Sequence, residues 1–298
     1  DGADEIDLLL QSRLGVFPSA TAISDFVKAG AGTLKLGSNQ NAYRGATVIR
    51  SGRLLVGGSI SSNAVSYLGQ SSNVVQFCDA LSQPSDTPAL LFEGTNNSAF
   101  TCNRSLRVYQ AGESGTVGSL SNVNLTLSGP ITVSNTLQLL SVTAGTNALF
   151  ITGGIGGPGG VTASGTGTVI LAARNTYTGA TTLAAGVLRL VSDELIADAS
   201  PLRLTGGQLT LNGFNETMGA LDVDGASVID FAGGNSTLTL ADSAGEAWSG
   251  TLLLRNWNSG SDHLYVGTSS CLSEAQLAKI TSPSGQTATQ LSSGEVLL

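Results

Sequence analysis

The sequence has few charged residues, few aromatic residues, and very little cysteine and histidine. Charged residues make up 11% of the 298 residues and aromatic residues 5%, with three Cys and one His. The 13 Lys and Arg are outnumbered by 21 Asp and Glu, which gives a net charge of −8. Without a basic stripe there is nothing to neutralise phosphates, so the composition argues against nucleic-acid binding.

Long apolar segments are also missing. No run approaches the ~18 residues that a membrane-spanning helix needs, and no basic-then-apolar leader precedes Asp1. We therefore expect no transmembrane segment in this chain. Because the sequence does not start with Met, we also expect a mature or excised product.

Short strand-like segments separated by glycine or asparagine fill most of the sequence. Hydrophobic residues make up 41% of the chain, too many for a disordered protein, and there are 39 Gly. The clearest example is the range 165–190, where three runs of aliphatic and β-branched residues are each too short for a helix. These runs predict strands joined by tight turns.

The same pattern occurs earlier in the chain, in the range 32–56. Several Gly residues start a Gly-x-aliphatic-x-aliphatic strand, with a step of about 20 residues where they follow one another: Gly32, Gly52, Gly167, Gly186 and Gly207. Such a step is typical of a solenoid coil. Alternation within a strand predicts that Leu34 and Leu36 point inward while Lys35 faces water, and the Gly residues are expected at corners with positive φ or close packing.

Both copies read Gly-x-Gly-Thr-Leu-x-Leu or a close variant, then Asn-x-Tyr-x-Gly-x-Thr, then Gly-x-Leu-x-Leu. The central motif occupies 41–47 in the first copy and 175–181 in the second. This pattern resembles the autotransporter-associated β-strand repeat found in passenger regions of bacterial surface proteins. The resemblance implies a right-handed parallel β-helix that is secreted or exposed at the bacterial cell surface.

We therefore predict an all-β fold, a right-handed parallel β-helix (β-solenoid) with a small N-terminal cap and a C-terminal helix and strand cap. The expected parts are residues 1–25 as an N-terminal cap or edge segment, 26–265 as the β-helix and 266–298 as the C-terminal cap. At ~4.8 Å per rung, roughly 13 to 15 coils would span about 60 to 70 Å.

Four segments interrupt the regular pattern. In the acidic N-terminal stretch, Asp1, Asp4, Glu5 and Asp7 precede or flank leucines, which fits a capped helical turn or an edge strand. The range 59–103 predicts a lateral excursion or long loop, and the glycine-rich range 153–160 predicts a tight turn within one continuous stack. The range 273–280 predicts a helix with a capping box between Ser273 and Gln276, followed by a final strand near 295–298.

The three cysteines leave at least one thiol unpaired. Cys78 and Cys102 are about one coil length apart, so neighbouring rungs could bring them close enough for a disulfide. The alternative is that Cys78, Cys102 and Cys271 are small buried hydrophobes. No Cys-x-x-Cys pair occurs, and we expect no metal site and no cofactor.

Candidate chemistry is sparse. Asp222 and Asp224 share a strand face and, with Asp230, form the best group of carboxylates for a carbohydrate site, a glycosidase-like pair or calcium. Solvent-facing Asp on a rung is the simpler interpretation. The single His263 would need Cys271 to fold back on it to form a nucleophilic dyad, and packing beside Trp257 and Tyr265 is the simpler role.

These features predict a non-enzymatic structural or adhesive protein, either a surface passenger or a self-assembling fibre subunit. Homo-oligomers or filaments would form by end-to-end stacking of coils, and a polysaccharide or a host surface is a possible partner. The alternative is a β-helix that binds or cleaves carbohydrate. A passive spacer for an absent domain is a third interpretation.

Overall fold

The protein is a stack of parallel β-strand coils with a continuous apolar interior. The computed structural model describes residues 6–15, 24–61, 64–70, 74–95, 97–110, 112–120, 123–142, 147–268 and 271–298. Within these ranges the stack has about ten turns, with a single short helix. The predicted all-β parallel solenoid is confirmed. The predicted roughly 13 to 15 coils are wrong, because most turns use three strands.

The stack has three faces. The first sheet has ten strands, Leu8–Leu10, Thr33–Leu36, Arg53–Val56, Ala89–Phe92, Gly115–Ser119, Leu137–Ser141, Val161–Ser164, Thr181–Leu183, Leu202–Leu204 and Leu221–Val223. The second has nine, Ser98–Cys102, Val123–Leu127, Ala148–Ile151, Thr168–Leu171, Val187–Leu190, Gln208–Thr210, Ala226–Asp230, Thr251–Arg255 and Ile280–Thr281.

The third face is divided into two sheets. Its longer part has seven strands, Phe26–Lys28, Thr47–Ile49, Val75–Phe77, Leu106–Val108, Ile131–Val133, Ile155–Gly157 and Thr176–Tyr177. Its shorter part has three, Glu216–Met218, Thr237–Leu240 and His263–Val266. The irregular segment 191–201 lies between them in the chain, and its Leu195 carbonyl accepts a bond from the Asn175 backbone N–H at 2.9 Å.

Columns of aliphatic side chains hold the coils together. In the second sheet, aligned residues at one inward position stack through successive coils and are all buried: Leu125, Leu149, Val169, Leu188 and Leu209. Burying each such side chain contributes about 2 kcal/mol, and each coil covers the apolar surface of its neighbour. Stability therefore depends on stacking rather than on any one coil.

Two segments differ from the predictions in detail. The range 59–103 does contain a long insertion, since the first sheet pairs Leu54 directly with Leu90, but it also supplies one strand to each of the three faces. The range 153–160 lies in one continuous stack as predicted. It is not a tight turn, because Ile155–Gly157 is a strand of the third sheet.

The N-terminal segment supplies an edge strand, as one of the two alternatives predicted. Leu8–Leu10 pairs in parallel with Thr33–Leu36. Ile6 packs against a small apolar cluster on the outer face of the first sheet, formed by Leu55, Ala89 and Leu91, which are buried although they point away from the core. Asp1, Asp4 and Glu5 lie outside the described residues, and the domain boundaries stay predictions.

The C-terminal segment crosses the last coil. The helix Glu274–Leu277 has the predicted capping box between Ser273 and Gln276. It is one turn long, because Ile280 instead starts the short strand Ile280–Thr281 that pairs with Leu252. The final strand, Val296–Leu297, pairs antiparallel with Thr289–Gln290. Among the described residues, no helix has the length and apolar character required to cross a bilayer.

Candidate functional site

The repeated Asn of the sequence motif connects three neighbouring stretches of backbone. In the second copy, Asn175 Oδ1 accepts a hydrogen bond from the Ile155 N–H at 2.9 Å, and its Nδ2 donates to the carbonyls of Ala173 and Leu195. In the first copy, Asn41 bonds to the Leu14 N–H and to the carbonyls of Ser38 and Tyr67. Both amides are buried, and each bonds to backbone groups that are buried or only partly exposed.

The Tyr and Thr of the motif form a second repeated contact. The Tyr177 hydroxyl is 2.6 Å from Thr181 Oγ1, which lies 2.9 Å from Ser200 Oγ, and the Tyr43 hydroxyl is 2.8 Å from Thr47 Oγ1. Burial raises the pKa of Tyr43 to about 12 and raises the pKa of Tyr177 as well. These phenols therefore stay protonated and pack the corner of the coil, which is a structural role.

A buried carboxyl group on the third face belongs to Glu216. Glu216 points inward from the third face with 1% of its surface exposed, and its two oxygens accept the backbone N–H groups of Leu195 and Ile196 at 2.9 and 3.1 Å. Burial raises the pKa of Glu216 to about 7, while those two hydrogen bonds oppose the rise and the charges of Glu194 and Asp198 add to it. Glu216 thus holds the irregular segment 191–201 against the core.

The raised pKa of Glu216 predicts a pH-dependent stability. The folded state holds the proton more tightly than the unfolded chain, so this contribution is complete below about pH 4.5 and is lost as the pH rises through about 7. The loss is about 3 kcal/mol at most. We expect Glu216→Gln, which stays neutral, to gain stability relative to the wild type by a similar amount between pH 4.5 and pH 8.

Urea denaturation of both proteins across this pH range measures that difference. Glutamine also places an amide nitrogen against one backbone N–H, which adds a penalty that does not change with pH. The informative quantity is therefore the slope of the difference with pH. A difference that stays constant from pH 4.5 to pH 8 contradicts the assignment.

The structure separates the three carboxylates of the predicted carbohydrate site. Asp222 lies in the last strand of the first sheet and Asp224 directly after it, whereas Asp230 ends a strand of the second sheet. Arg203, which is aligned with Asp222 in the neighbouring strand, reaches Asp222 Oδ2 at 3.0 Å and Asp224 Oδ2 at 3.8 Å. Both carboxylates thus contact one guanidinium, so Arg203 lies between them and a ligand that approaches this edge of the first sheet.

Asp230 takes part in a different network. Its oxygens accept hydrogen bonds from Gln208 Nε2 at 2.9 Å and from Asn256 Nδ2 at 2.7 Å, and from the Ala232 N–H at 3.0 Å. These contacts fix the outer surface of the second sheet. Within the ranges that the structure describes, no group of three His, Cys, Asp or Glu side chains is arranged to hold a metal ion.

The His and Cys residues have separate structural contacts. His263 Nδ1 is 2.7 Å from Glu295 Oε1 and the imidazole stacks on Tyr265, so it joins the C-terminal segment to the third face. Cys271 Sγ lies 3.2 Å from the Thr268 nitrogen. Cys78 and Cys102 are free, buried thiols that belong to different faces of the stack. The disulfide left open by the sequence is absent, and the alternative of small buried hydrophobes describes both residues.

Sequence reasoning missed Glu216 and Arg203 as organising residues. Glu216 precedes Met218 by two positions, so the strand alternation places both on the inward face. This alternation could have identified Glu216 as an inward-facing carboxyl from the sequence. Arg203 comes next to Asp222 only through the register of neighbouring coils, which local sequence does not reveal.

Comparisons with known proteins agree with this architecture. The family model described as passenger-associated-transport-repeat matches residues 26–56 and 161–190, which contain both copies of the Asn, Tyr and Thr motif. The adhesin BmaC autotransporter of Brucella suis biovar 1 (strain 1330) is 34% identical over 228 residues, which are 76% of this chain and 6% of that protein. The chain thus matches a small part of this relative, and no solved structure matches it significantly. Because both matched ranges contain the Asn, Tyr and Thr residues that shape the coil, the chain carries two repeats of the autotransporter passenger type.

Proposed function

We propose that this chain is a rigid, non-catalytic segment of an adhesive passenger at the bacterial cell surface or in the secreted fraction. The observation that carries the proposal is the uninterrupted apolar interior, which one continuous cluster of buried side chains fills from Leu34 to Val296. Stacked coils of this kind form a stiff shaft, because bending would open contacts between neighbours. The adhesive role is supported by the similarity to a protein named as an adhesin.

Adhesion can be tested with the purified chain. Beads coated with the native protein are expected to bind cultured epithelial cells several-fold more than albumin-coated beads. Beads coated with the heat-unfolded chain serve as the matched control, because they carry the same composition without the stacked surface. Equal binding by native and unfolded coatings, or no binding by either, contradicts the adhesive role.

Carbohydrate cleavage has no support among the described residues. It would need an acid and a base or nucleophile facing one substrate, whereas Asp222 and Asp224 share an ion-pair partner and Asp230 lies on another face. A reducing-sugar assay on polysaccharides tests this point, and we expect no release of reducing ends.

Self-association is a second candidate, favoured by the contrast between the two ends of the stack. Among the described residues, Leu8–Leu10 and Phe26–Lys28 are the terminal strands of their sheets, and Leu8, Leu9 and Val27 are 54%, 43% and 44% exposed. Free strand edges with apolar side chains recruit further strands. The opposite end is crossed by the antiparallel pair of Thr289–Gln290 and Val296–Leu297. We therefore propose that two copies pair through their N-terminal edges, rather than head to tail.

Charge placed on this edge should prevent association. We expect Val27→Lys to lower the mass of the associated species that light scattering detects at high protein concentration. Leu81→Lys is the matched control, since Leu81 is 68% exposed and follows the third-face strand Val75–Phe77 by a few residues. Monomers at all concentrations in the wild type, or equal effects of the two substitutions, would rule out pairing at this edge.

A further inference from the structure

A surface cavity of about 540 Å³ lies near the C-terminal end of the solenoid. It is lined by residues of two turns, 256–259 and 282–286, together with Leu298. The first turn follows Thr251–Arg255 and the second follows Ile280–Thr281, which are neighbouring strands of the second sheet. Two turns at the ends of paired strands are held at a fixed spacing. The volume is within the range of roughly 300–1,000 Å³ that is common for small-molecule sites.

An aromatic side chain forms part of the cavity wall. Trp257 is half-buried, and its ring meets the Phe231 ring edge to face, with centroids 4.7 Å apart and planes at 90°. This contact fixes the position of the indole from the core side. The buried indole N–H has no hydrogen-bond partner among the described residues. A fixed aromatic surface of this kind suits the C–H groups of a sugar ring, because it packs without losing side-chain freedom.

The amide side chains around the cavity each use one end and leave the other available. Asn256 donates through Nδ2 to Asp230, Asn258 accepts through Oδ1 from the Gly260 N–H, and Gln286 accepts through Oε1 from Ser284. This leaves Asn256 Oδ1, Asn258 Nδ2 and Gln286 Nε2 without a partner in the described structure. The cavity thus offers both donors and an acceptor, which matches hydroxyl groups that both donate and accept.

None of the described side chains lining the cavity carries a charge. A carboxylate or sulfate entering the cavity would lose hydration without gaining an ionic partner, which is costly. The net charge of −8 on the whole chain adds to that penalty. We propose that this cavity binds a neutral sugar unit of a glycan. This inference goes beyond the adhesive role and does not depend on it.

Binding can be measured with neutral and acidic glycans. An array that contains both classes is screened with the intact chain, and the best neutral glycan is then titrated by NMR. We expect a saturable shift of the Trp257 indole N–H resonance. The Trp248 indole is an internal reference, because it is buried and donates to the Leu221 carbonyl at 2.9 Å, and its resonance should not move.

Variants of the exposed amides locate the binding. Asn258→Ala and Gln286→Ala each remove one free donor from a surface turn, and each should weaken binding about 10-fold. Gln40→Ala removes an exposed amide elsewhere and should leave affinity unchanged. The proposal is overturned if the array shows no neutral glycan, if acidic glycans alone bind, or if the two cavity variants bind as tightly as Gln40→Ala.

Discussion

Replacing Asn175 with alanine is expected to lower the free energy of unfolding by about 3 kcal/mol. The substitution removes a side chain that bonds to the Ile155 N–H and to the carbonyls of Ala173 and Leu195. The Leu195 carbonyl keeps its bond from the Asn175 backbone, and Ala173 is half-exposed, so water can replace the amide there. The Ile155 N–H is buried and loses its partner, and this lost bond is the largest part of the cost.

Two measurements check this prediction. The midpoint of urea denaturation should fall, and the Ile155 amide should lose protection against hydrogen exchange more than amides of distant coils. The local readout matters because long repeat stacks can unfold in parts rather than as one unit.

Asn135 provides the matched control. It is half-exposed and its side chain makes no hydrogen bond within the described structure, so Asn135→Ala should change stability by no more than about 0.5 kcal/mol. Asn41→Ala should resemble Asn175→Ala, because Asn41 bonds to the equivalent number of backbone groups in the first copy. Equal effects of Asn175→Ala and Asn135→Ala would show that the buried amide does not stabilise the coil.

The sequence predicted the features that depend on neighbouring residues. Alternation placed Leu34 and Leu36 inward, and the capping box placed the helix start at Ser273. Positive φ was expected at corner glycines and occurs at Gly52, Gly186 and Gly207, but not at Gly32 or Gly167. Each of these follows from local geometry, since a strand alternates at every second residue and a cap needs only the residue three positions later.

The features that the sequence did not predict depend on how coils stack. The predicted number of turns was too high. Strands can be counted in a sequence, but the number of strands in each turn depends on the angle of the chain at each corner. The pairing of Leu54 with Leu90 skips a long insertion, and the contact of Arg203 with Asp222 follows from register. The predicted helix was too long because Ile280 belongs to a strand instead. Pairing with Leu252 provides hydrogen bonds for the backbone of this strand.

The proposed sugar site illustrates the same limit. Trp257 and Asn258 share one cavity with Gln286, yet the last strand of the third face and the C-terminal helix separate them from Gln286 in the sequence. The sequence indicated only that Trp257 and Tyr265 lie near His263. The convergence of the two turns follows only from the pairing of Thr251–Arg255 with Ile280–Thr281, so no local motif marks the site.

Gly186→Ala should lower the free energy of unfolding by about 3 to 4 kcal/mol, because an added methyl group would collide with the backbone of the neighbouring coil. Gly186 has φ +68°, a conformation that alanine rarely adopts, and an added Cβ would lie 2.4 Å from the Gly167 carbonyl oxygen. The oxygen belongs to the neighbouring coil, so relief would require the two coils to separate. Circular dichroism during urea denaturation measures the loss.

The first repeat contains the same corner, which provides a positive control, and a glycine outside the repeats provides a negative control. Gly52 has φ +70° and a carbonyl oxygen at 2.4 Å from the added Cβ, so Gly52→Ala should behave like Gly186→Ala. Gly245 has no atom within 4 Å of an added Cβ and lies outside the positive-φ region. Gly245→Ala should therefore be neutral or slightly stabilising, since it restricts the unfolded chain. If Gly186→Ala matched Gly245→Ala, close approach of the coils would not be what requires glycine at the corner.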